Sequence, residues 1–598
     1  MSNVMSLKDV RNKPSRNAFD KSQKNVFSAK AGELLPVFCE EVLPGDKFKI
    51  NLSSFTRTMP LDTAAYTRLR EYYDFYFVPI RQLWRFSDNF FTQMKVTQSA
   101  YSSEQNSAGY NFETHPYITT YQVSKALQKL YTYHNHLSSD DGNEGCMNEV
   151  GYYRYNLSRK LLEYLGYSNA IFATGDTSTD YNSIDELYGF YSDGSDSLVL
   201  NPFPLLAYQK IYADYFRDSQ WEELEPWTFN CDYINSTSKL NVLGDIDTVL
   251  YPFADSTREL RHTFLDLRYC NYEKGLLTGL LSSPQYGDTA VAAPLVGSQP
   301  LTYTTTASNE AVFSGDADML EVDGTSYDGL GLSVLALRQA EFLQKWREVS
   351  YAGRQDYKEQ IKKHWNVDVS KSRSDMCFYL GGQSSAININ EVINTNLASS
   401  SSMADIAGKG VGSTNKTIDF EASEHGIIMC IYHCVPLLDF SCSGISPLNT
   451  KANFTDYAIP EFDKLGMQAV PLNLLFAAGI YNSDGDEKLV EGTAELGYAP
   501  RYYDYKTSLD RVRGVFSQTL KNWVTPIDAQ ALYNAMQWRV ENYEDDLLNY
   551  SAMKVNPSVL DNVFAVAADD TVDTDQFLVN SYFDCKVVRN LDYNGLSY

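Results

Sequence analysis

The densest group of potential metal ligands in the sequence is Cys430, His433 and Cys434. On a helix, two thiolates at this spacing could share a Zn²⁺ ion. The surrounding segment, residues 426–440, is instead a nearly continuous apolar run of β-forming residues, which predicts a strand buried on both faces. In a strand the two thiols would lie about 13 Å apart, and His433 would point to the opposite face. The spacing therefore predicts no metal site.

Two other segments partly resemble ligand-binding loops. Residues 408–417 contain several glycines, but Asn415 stands where a phosphate-binding loop needs Gly before Lys-Thr. Asn482, Asp484 and Asp486 resemble the start of a calcium loop, but Glu487 stands where that loop needs Gly. We therefore expect a flexible glycine loop at the first segment and a solvated turn at the second. Adventitious Ca²⁺ at the second segment remains an alternative.

Catalytic residues cannot be assigned. The chain has only 7 His, of which His134 and His136 lie in a polar segment typical of a surface loop. No nucleophile elbow is present. The 76 carboxylates guarantee chance pairs, so none can be selected as an acid–base pair. The sequence predicts a protein without catalytic residues or a cofactor.

Positive charge is concentrated at the start of the chain. Residues 1–30 have a net charge of +5, which leaves −31 for the rest of a chain whose total is −26. Basic side chains neutralise phosphates, so this flexible basic arm is the candidate DNA-binding segment. A solubilising terminus is the alternative. The candidate DNA-binding residues are Lys8, Arg11, Lys13, Arg16, Lys21, Lys24 and Lys30.

The composition is that of a large globular protein. Of the 598 residues 43% are hydrophobic, which supports a sizeable core, and 44 are Tyr, a residue suited to wet interfaces and to base stacking. Nine Cys, an odd number, argue against a complete disulfide framework and favour reduced thiols in a cytoplasmic product. The sequence shows neither a secretory signal nor an apolar run of about 18 residues, so no membrane insertion is expected.

The periodicity predicts strands near both ends of the chain and helices between them. Expected strands, marked by alternation or by apolar runs bounded by turns, are residues 34–41, 48–52, 72–78, 426–440 and 577–588. Expected helices are residues 123–133, 157–165, 204–216, 333–350 and 356–365. This order fits a β-sandwich whose strand connections are expanded.

The chain is accordingly divided into four parts. Residues 1–30 form the arm, and residues 31–281 form the first part of the sandwich with helical and loop insertions. Residues 282–331, rich in Ser, Thr, Gly and Asp, are interpreted as a polar surface insertion, and residues 332–598 supply further helices and the remaining strands.

A series of segments between about residue 40 and residue 585 forms an ordered set of motifs: residues 42–50, 55–58, 68–79, 213–218, 379–382, 387–389, 424–426, 497–502 and 577–583. These segments resemble, in the same order, those of microvirus major capsid proteins, especially the gokushovirus-like branch. Two regions, residues 166–197 and 282–331, depart from the pattern and look like branch-specific insertions.

This resemblance implies a mainly β protein: a single eight-stranded jelly-roll β-sandwich with long inserted loops and several helices. It also implies a T=1 icosahedral shell around a circular single-stranded DNA genome. The expected partners are further copies of the chain, packaged DNA, other virion or assembly proteins and a host surface receptor. The expected location is the virion, after assembly in the host bacterial cytoplasm.

Two other functions compete with this interpretation. A secreted or surface carbohydrate-binding β-sandwich would explain the Tyr content and the acidity, but not the basic arm or the ordered segments. A glycoside hydrolase would need a carboxylate pair, and none can be assigned.

Overall fold

The computed structural model describes twelve main stretches of the chain and a few shorter pieces. The main stretches are residues 15–60, 68–92, 115–127, 147–167, 198–234, 263–284, 334–351, 357–367, 375–393, 406–437, 444–517 and 554–593. Within them, residues 121, 124–125, 223, 465, 478, 482–487, 509–510, 556–559, 561–562, 565–567, 570–571 and 574 are not described. Residues 303–305 and 311–313 are described in addition.

Nine strands of the described residues form one continuous antiparallel sheet. Their order across the sheet is β1–β9–β4–β7–β6–β5–β8–β3, and β2 also pairs with β9. In chain order they are β1 Asn17–Asp20, β2 Gln23–Ala29, β3 Leu35–Val42, β4 Lys47–Thr58, β5 Leu69–Pro79, β6 Phe378–Ile393, β7 Ile406–Glu421, β8 Gly426–Pro436 and β9 Phe577–Arg589.

The sheet folds over itself into two layers. The first layer contains β1, β2, β9, β4 and β7, and the second contains β5, β8 and β3. Strand β6 joins them, because its first part pairs with β5 and its second part pairs with β7. Aromatic rings meet between the layers: Phe583 of β9 lies 5.0 Å from Phe38 of β3, and Phe77 of β5 lies 4.8 Å from Phe420 of β7. The fold is therefore a mainly β sandwich.

Strand β4 shows how the sequence forms this core. Residues Phe48, Ile50 and Leu52 alternate with exposed or half-buried polar residues, and all three are buried. A period of two places one set of side chains between the layers and the other set outside. The predicted strand at residues 48–52 is confirmed, but β4 continues to Thr58.

Most predicted strands and helices are present, with shifted ends. The apolar run predicted at 426–440 is β8, every residue of which is buried. The helices of the described residues are Ile80–Leu83, Ser87–Thr92, Met147–Tyr164, Phe203–Ile211, Cys231–Ile234, Val334–Tyr351, Tyr357–Trp365 and Tyr503–Lys506. The predicted helix at 204–216 ends at Ile211 and continues as one π-helical segment, Tyr212–Phe216. Of the predicted helix at 123–133, only a few residues are described, and these are helical.

Smaller elements surround the sandwich. Five two-stranded ribbons pair Ile118–Thr119 with Val199–Leu200, Tyr303–Thr305 with Ala311–Phe313, Met467–Pro471 with Glu495–Pro500, Ile480–Tyr481 with Lys488–Val490, and Ala568–Asp569 with Val572–Asp573. The second ribbon lies inside the predicted insertion 282–331, which is otherwise described only at residues 282–284. A second, smaller core packs Leu277 and Leu280 against Val470, Leu474 and Leu496.

Two expectations from the sequence are wrong. The glycine-rich segment 408–417 is not a flexible loop but part of β7, where pairing with β4 on one side and β6 on the other satisfies its backbone. The first 30 residues are not flexible throughout, because β1 and β2 both pair with β9. Strand β9 needs a neighbour on its open side, and residues 17–29 supply it.

Candidate nucleic-acid and assembly surfaces

The paired part of the basic arm forms one edge of the first layer. Strands β1 and β2 lie one after the other along β9, with Asn17 opposite Arg589 and Ala29 opposite Phe577. Side chains then link this edge to β3 of the second layer: the amide of Asn25 donates to the carbonyl of Val37 at 2.7 Å. The sandwich is thereby closed along this side.

The four described members of the predicted DNA-binding set do not form one cluster. Lys8, Arg11 and Lys13 lie outside the described residues. The Arg16 guanidinium donates to the Gly45 carbonyl at 2.8 Å, and Lys21 forms an ion pair with Glu40 of β3. Lys30 is buried, whereas Lys24 is exposed. Of the four described residues, therefore, only Lys24 is exposed and makes no side-chain hydrogen bond or ion pair with another described residue.

On the outward face of the first layer, large apolar side chains of the described strands are exposed. Val26, Phe55, Leu578 and Tyr582 are 68%, 40%, 50% and 47% exposed, and they lie on the neighbouring strands β2, β4 and β9. The guanidinium carbon of Arg57 lies 5.1 Å from the centroid of the Phe55 ring. We call the outward residues Lys24, Val26, Phe55, Arg57, Leu578 and Tyr582 the bare face.

The outward face of the second layer is covered by the inserted helical segments. Tyr215 lies 4.9 Å from Tyr76 of β5, centroid to centroid, and Phe216 packs against both Tyr76 and His433. The His433 ring stacks on Tyr72 at 4.9 Å, and burial lowers its pKa to about 3. His433 is thus held neutral as part of the packing between helix and sheet.

The Cys and His side chains of β8 alternate as expected for a strand. Cys430 and Cys434 are fully buried, and burial raises the pKa of both thiols well above the ordinary value. His433 points to the opposite side, toward Tyr72. In the part of the chain that the structure describes, no group of three His, Cys, Asp or Glu side chains is arranged to hold a metal ion. His134, His136 and the calcium-like segment 482–487 lie outside the described residues.

A carboxyl group is buried between the layers. Glu71 of β5 is 0% exposed, and it accepts hydrogen bonds from the hydroxyls of Thr56 and Ser385, both at 2.6 Å. Burial raises the pKa of Glu71, although these hydrogen bonds oppose the shift. Because the group is sealed from solvent and surrounded by hydroxyl donors, its role is structural.

A helical hairpin presents exposed aromatic side chains. The helices Val334–Tyr351 and Tyr357–Trp365 pack together, with the Gln360 side chain donating to the Ser350 carbonyl at 2.9 Å. Phe342 and Trp365 nevertheless remain 67% and 64% exposed. Exposed large aromatic residues of this kind are typical of protein interfaces.

A cavity of about 890 Å³ lies among the loops near the second core. Its lining includes Arg511 and Arg513, and Lys451, whose ammonium lies 3.7 Å from the Tyr505 ring centroid. Lys451 also pairs with Asp504, so its charge is balanced within the chain.

The bare face is not apparent from the sequence, because in part of β4 the buried side chains are polar and the exposed ones include an aromatic ring. In the second half of β4, the buried residues are the small polar Ser54, Thr56 and Thr58, while Phe55 and Arg57 point outward. If apolar residues are assumed to be buried, Phe55 is therefore assigned to the wrong face of the strand. Extending the alternation of Phe48, Ile50 and Leu52 along β4 would have placed Phe55 on the outer face.

Comparisons with known proteins relate the chain to phage capsid proteins. The family model described as capsid protein (F protein) matches residues 9–119 and 167–597. The chain is 21% identical to capsid protein VP1 of Chlamydia phage 1 over 576 residues, which cover 85% of this chain and 86% of the relative. It is 22% identical to capsid protein VP1 of Bdellovibrio phage phiMH2K over 540 residues, which cover 84% and 82%.

The family match does not single out the predicted branch-specific insertions. Its gap is residues 120–166, whereas residues 167–197 and 282–331 lie inside the second matched stretch. Among the described residues, no helix has the length and apolar character needed to cross a bilayer. Since the family match covers most of the chain, the protein belongs to the phage capsid protein (F protein) family.

Proposed function

We propose that the chain is the major capsid protein of a small tailless single-stranded DNA phage. Copies assemble into a T=1 icosahedral shell around the circular genome, in the cytoplasm of the host bacterium, and remain in the virion. The observation that carries the proposal is the family match over residues 9–119 and 167–597. The role is structural and needs no catalytic group or cofactor.

The sandwich is proposed to be an eight-stranded jelly roll formed by β2 to β9, with β1 as an additional strand at one edge. Its two sheets would be β2–β9–β4–β7 and β3–β8–β5–β6, so that successive strands alternate between the layers except at β5 and β6. Such alternation is how a jelly roll builds two facing sheets. Its long connections hold the inserted helices.

The helical hairpin is proposed as one of the contacts between copies. Phe342 and Trp365 would be covered by a neighbouring copy, since aromatic residues of this size dominate the energy of interfaces. The polar insertion 282–331 is proposed as a surface element that could meet a host receptor. Other virion or assembly proteins are further expected partners.

The arm is proposed to contact packaged DNA through fewer residues than the sequence predicts. Lys8, Arg11, Lys13 and Lys24 remain the candidates for phosphate contacts, together with the exposed Arg16, which directly precedes β1. Lys21 and Lys30 serve the packing of the chain, because the first is ion-paired and the second is buried. Multivalent display on a shell would strengthen weak contacts from each copy.

Electron microscopy of the purified full-length chain tests the proposed function. Closed particles or pentamers are expected. A dispersed monomer that binds glycans would contradict the proposal and favour the carbohydrate-binding alternative.

A further inference from the structure

On the bare face, apolar side chains point outward, whereas an ordinary solvent-exposed sheet face presents polar side chains. Where β4 runs through Ser54, Phe55 and Thr56, the two hydroxyl residues are buried and the phenyl ring is 40% exposed. Neighbouring Leu578 and Val26 are also exposed, on β9 and β2. Apolar residues that alternate outward on three adjacent strands form one contiguous patch, which indicates a surface with a partner.

The register places these residues in three parallel rows. Leu578 lies beside Arg57 in one row, Phe55 lies in the next with Val26 across Asn580, and Tyr582 lies beside Lys24 in the third. Neighbouring positions in a row are close enough for their side chains to touch. One partner can therefore contact all six side chains at once.

Positive charge accompanies the apolar residues. The three rows contain Lys24 and Arg57 and no carboxylate, on a chain with a net charge of −26. The carboxylates at the two ends of the patch are already engaged: Asp575 lies 2.8 Å from the ammonium of Lys160, and Asp584 lies 3.6 Å from that of Lys586. The patch is thus an uncompensated basic area on an acidic protein.

The arm is joined to the same layer. Its described strand β2 pairs with β9 and contributes Lys24 and Val26 to the bare face. The helical segments, by contrast, cover the other layer, as the packing of Phe216 against His433 shows.

We propose that the bare face is the inner wall of the shell and binds packaged single-stranded DNA. Phe55 and Tyr582 would stack on unpaired bases, and Lys24 and Arg57 would contact phosphates. Aromatic rings on a sheet with cations beside them are a general solution for binding single strands, because every base has a face that can stack. This inference rests on the proposed function.

Ultraviolet cross-linking of intact, DNA-filled particles tests the inference without any substitution. Peptides that carry covalently attached nucleotides would be identified by mass spectrometry. We expect them to contain Phe55 and Tyr582. In parallel, an impermeant lysine reagent should modify Lys24 in disassembled subunits at least fivefold more than in intact particles.

A second measurement uses variants of the full chain and an oligothymidine probe. Phe55→Leu combined with Tyr582→Leu keeps apolar volume but removes stacking, so affinity should fall about fivefold or more. Tyr233→Leu is the matched control, because Tyr233 is 63% exposed and lies away from the bare face. It should leave the affinity unchanged.

Three results would overturn the inference. Cross-links that map elsewhere, with Lys24 still protected in particles, would mean that the bare face is an interface between copies. Lys24 that reacts equally in particles and in subunits would place the bare face on the outside. Particles that contain no DNA would refute the proposed function itself, and this inference with it.

Discussion

Glu71 shows how a single side chain can set the pH dependence of the fold. Its carboxyl group is sealed between the layers, and burial raises its pKa above the ordinary value of 4.5. The folded state therefore holds the proton more tightly than the unfolded chain does. The stability from this group is complete below the ordinary pKa and is lost as the pH rises through the raised folded pKa.

Glu71→Gln tests this account. Gln does not titrate, so the thermal midpoint of the variant minus that of the wild type should increase between pH 5 and pH 8. Differential scanning calorimetry of dissociated subunits measures both midpoints. Glu461→Gln, at an exposed position, is the control and should show no such trend. A difference for Glu71→Gln that stays constant or decreases with pH would contradict the account.

At the scale of elements, one lysine ties the helix Met147–Tyr164 to the sandwich. The ammonium of Lys160 lies 2.7 Å from Glu33 and 2.8 Å from Asp575. Burial alone would lower the pKa of Lys160, but the two carboxylates hold it above the ordinary value. Glu33 is only 1% exposed, so loss of the ammonium would remove an ion-pair partner from a buried charge.

Lys160→Met should therefore lower the free energy of unfolding by about 3 kcal/mol, measured by denaturant titration of subunits. Lys586→Met is the matched control, because Lys586 pairs with Asp584 at 3.6 Å while 62% of its side chain is exposed. The control should cost less than about 1 kcal/mol. Equal losses in the two variants would show that the buried cluster has no special role.

The helical hairpin makes a different prediction, about assembly rather than stability. Phe342→Ser should reduce the yield of closed particles at least tenfold in electron micrographs, because it removes an exposed aromatic side chain from a contact between copies. Phe342→Leu retains an apolar side chain and should assemble. The melting temperature of the subunit should hardly change in either variant, since Phe342 is 67% exposed. Normal particle yield with Phe342→Ser would remove the hairpin from the proposed interfaces.

Elements with a strong local period could be predicted from the sequence, and elements that depend on distant pairing could not. The alternation of Phe48, Ile50 and Leu52 was sufficient to predict β4, and the apolar run of β8 predicted its complete burial. The segment that forms β1 and β2 includes Lys21 and Lys24, and its sequence resembles a polar tail. Their partner, β9, lies about 550 residues away along the chain, so no local pattern reveals the pairing.

The candidate DNA-binding surface, too, could be predicted only in part from the sequence. The basic residues were visible as a cluster in the sequence, but Lys30 is buried and Lys21 pairs with Glu40. Only the register of the sheet brings Lys24 beside Tyr582. A surface assembled from strands far apart in the chain follows from topology, not from composition.

At the scale of the whole molecule, the charge distribution predicts how packaged DNA responds to salt. A combined variant with Lys8, Arg11, Lys13 and Lys24 changed to Gln retains Lys21 and Lys30, which the fold uses. Each lost phosphate contact should make the salt dependence of DNA retention shallower. Nuclease protection of packaged DNA measured across salt concentrations reports this change. Unchanged protection at every concentration would remove the arm from the proposed DNA contacts.

The two sides of the molecule are proposed to face opposite directions in the shell. The helical segments cover one layer of the sandwich, and the bare face with the basic arm lies on the other. A closed shell of one kind of subunit needs two such different sides. The helix-covered side would then face outward, and the bare face would face the genome.

A cryo-electron microscopy reconstruction of particles built from this chain tests the central claim most directly. The account predicts a closed icosahedral shell of sixty copies, the number that a T=1 shell contains. Each copy should show the two-layer sandwich with its helix-covered layer outward and its bare face toward the DNA. Dispersed monomers, or an open assembly without icosahedral symmetry, would contradict it.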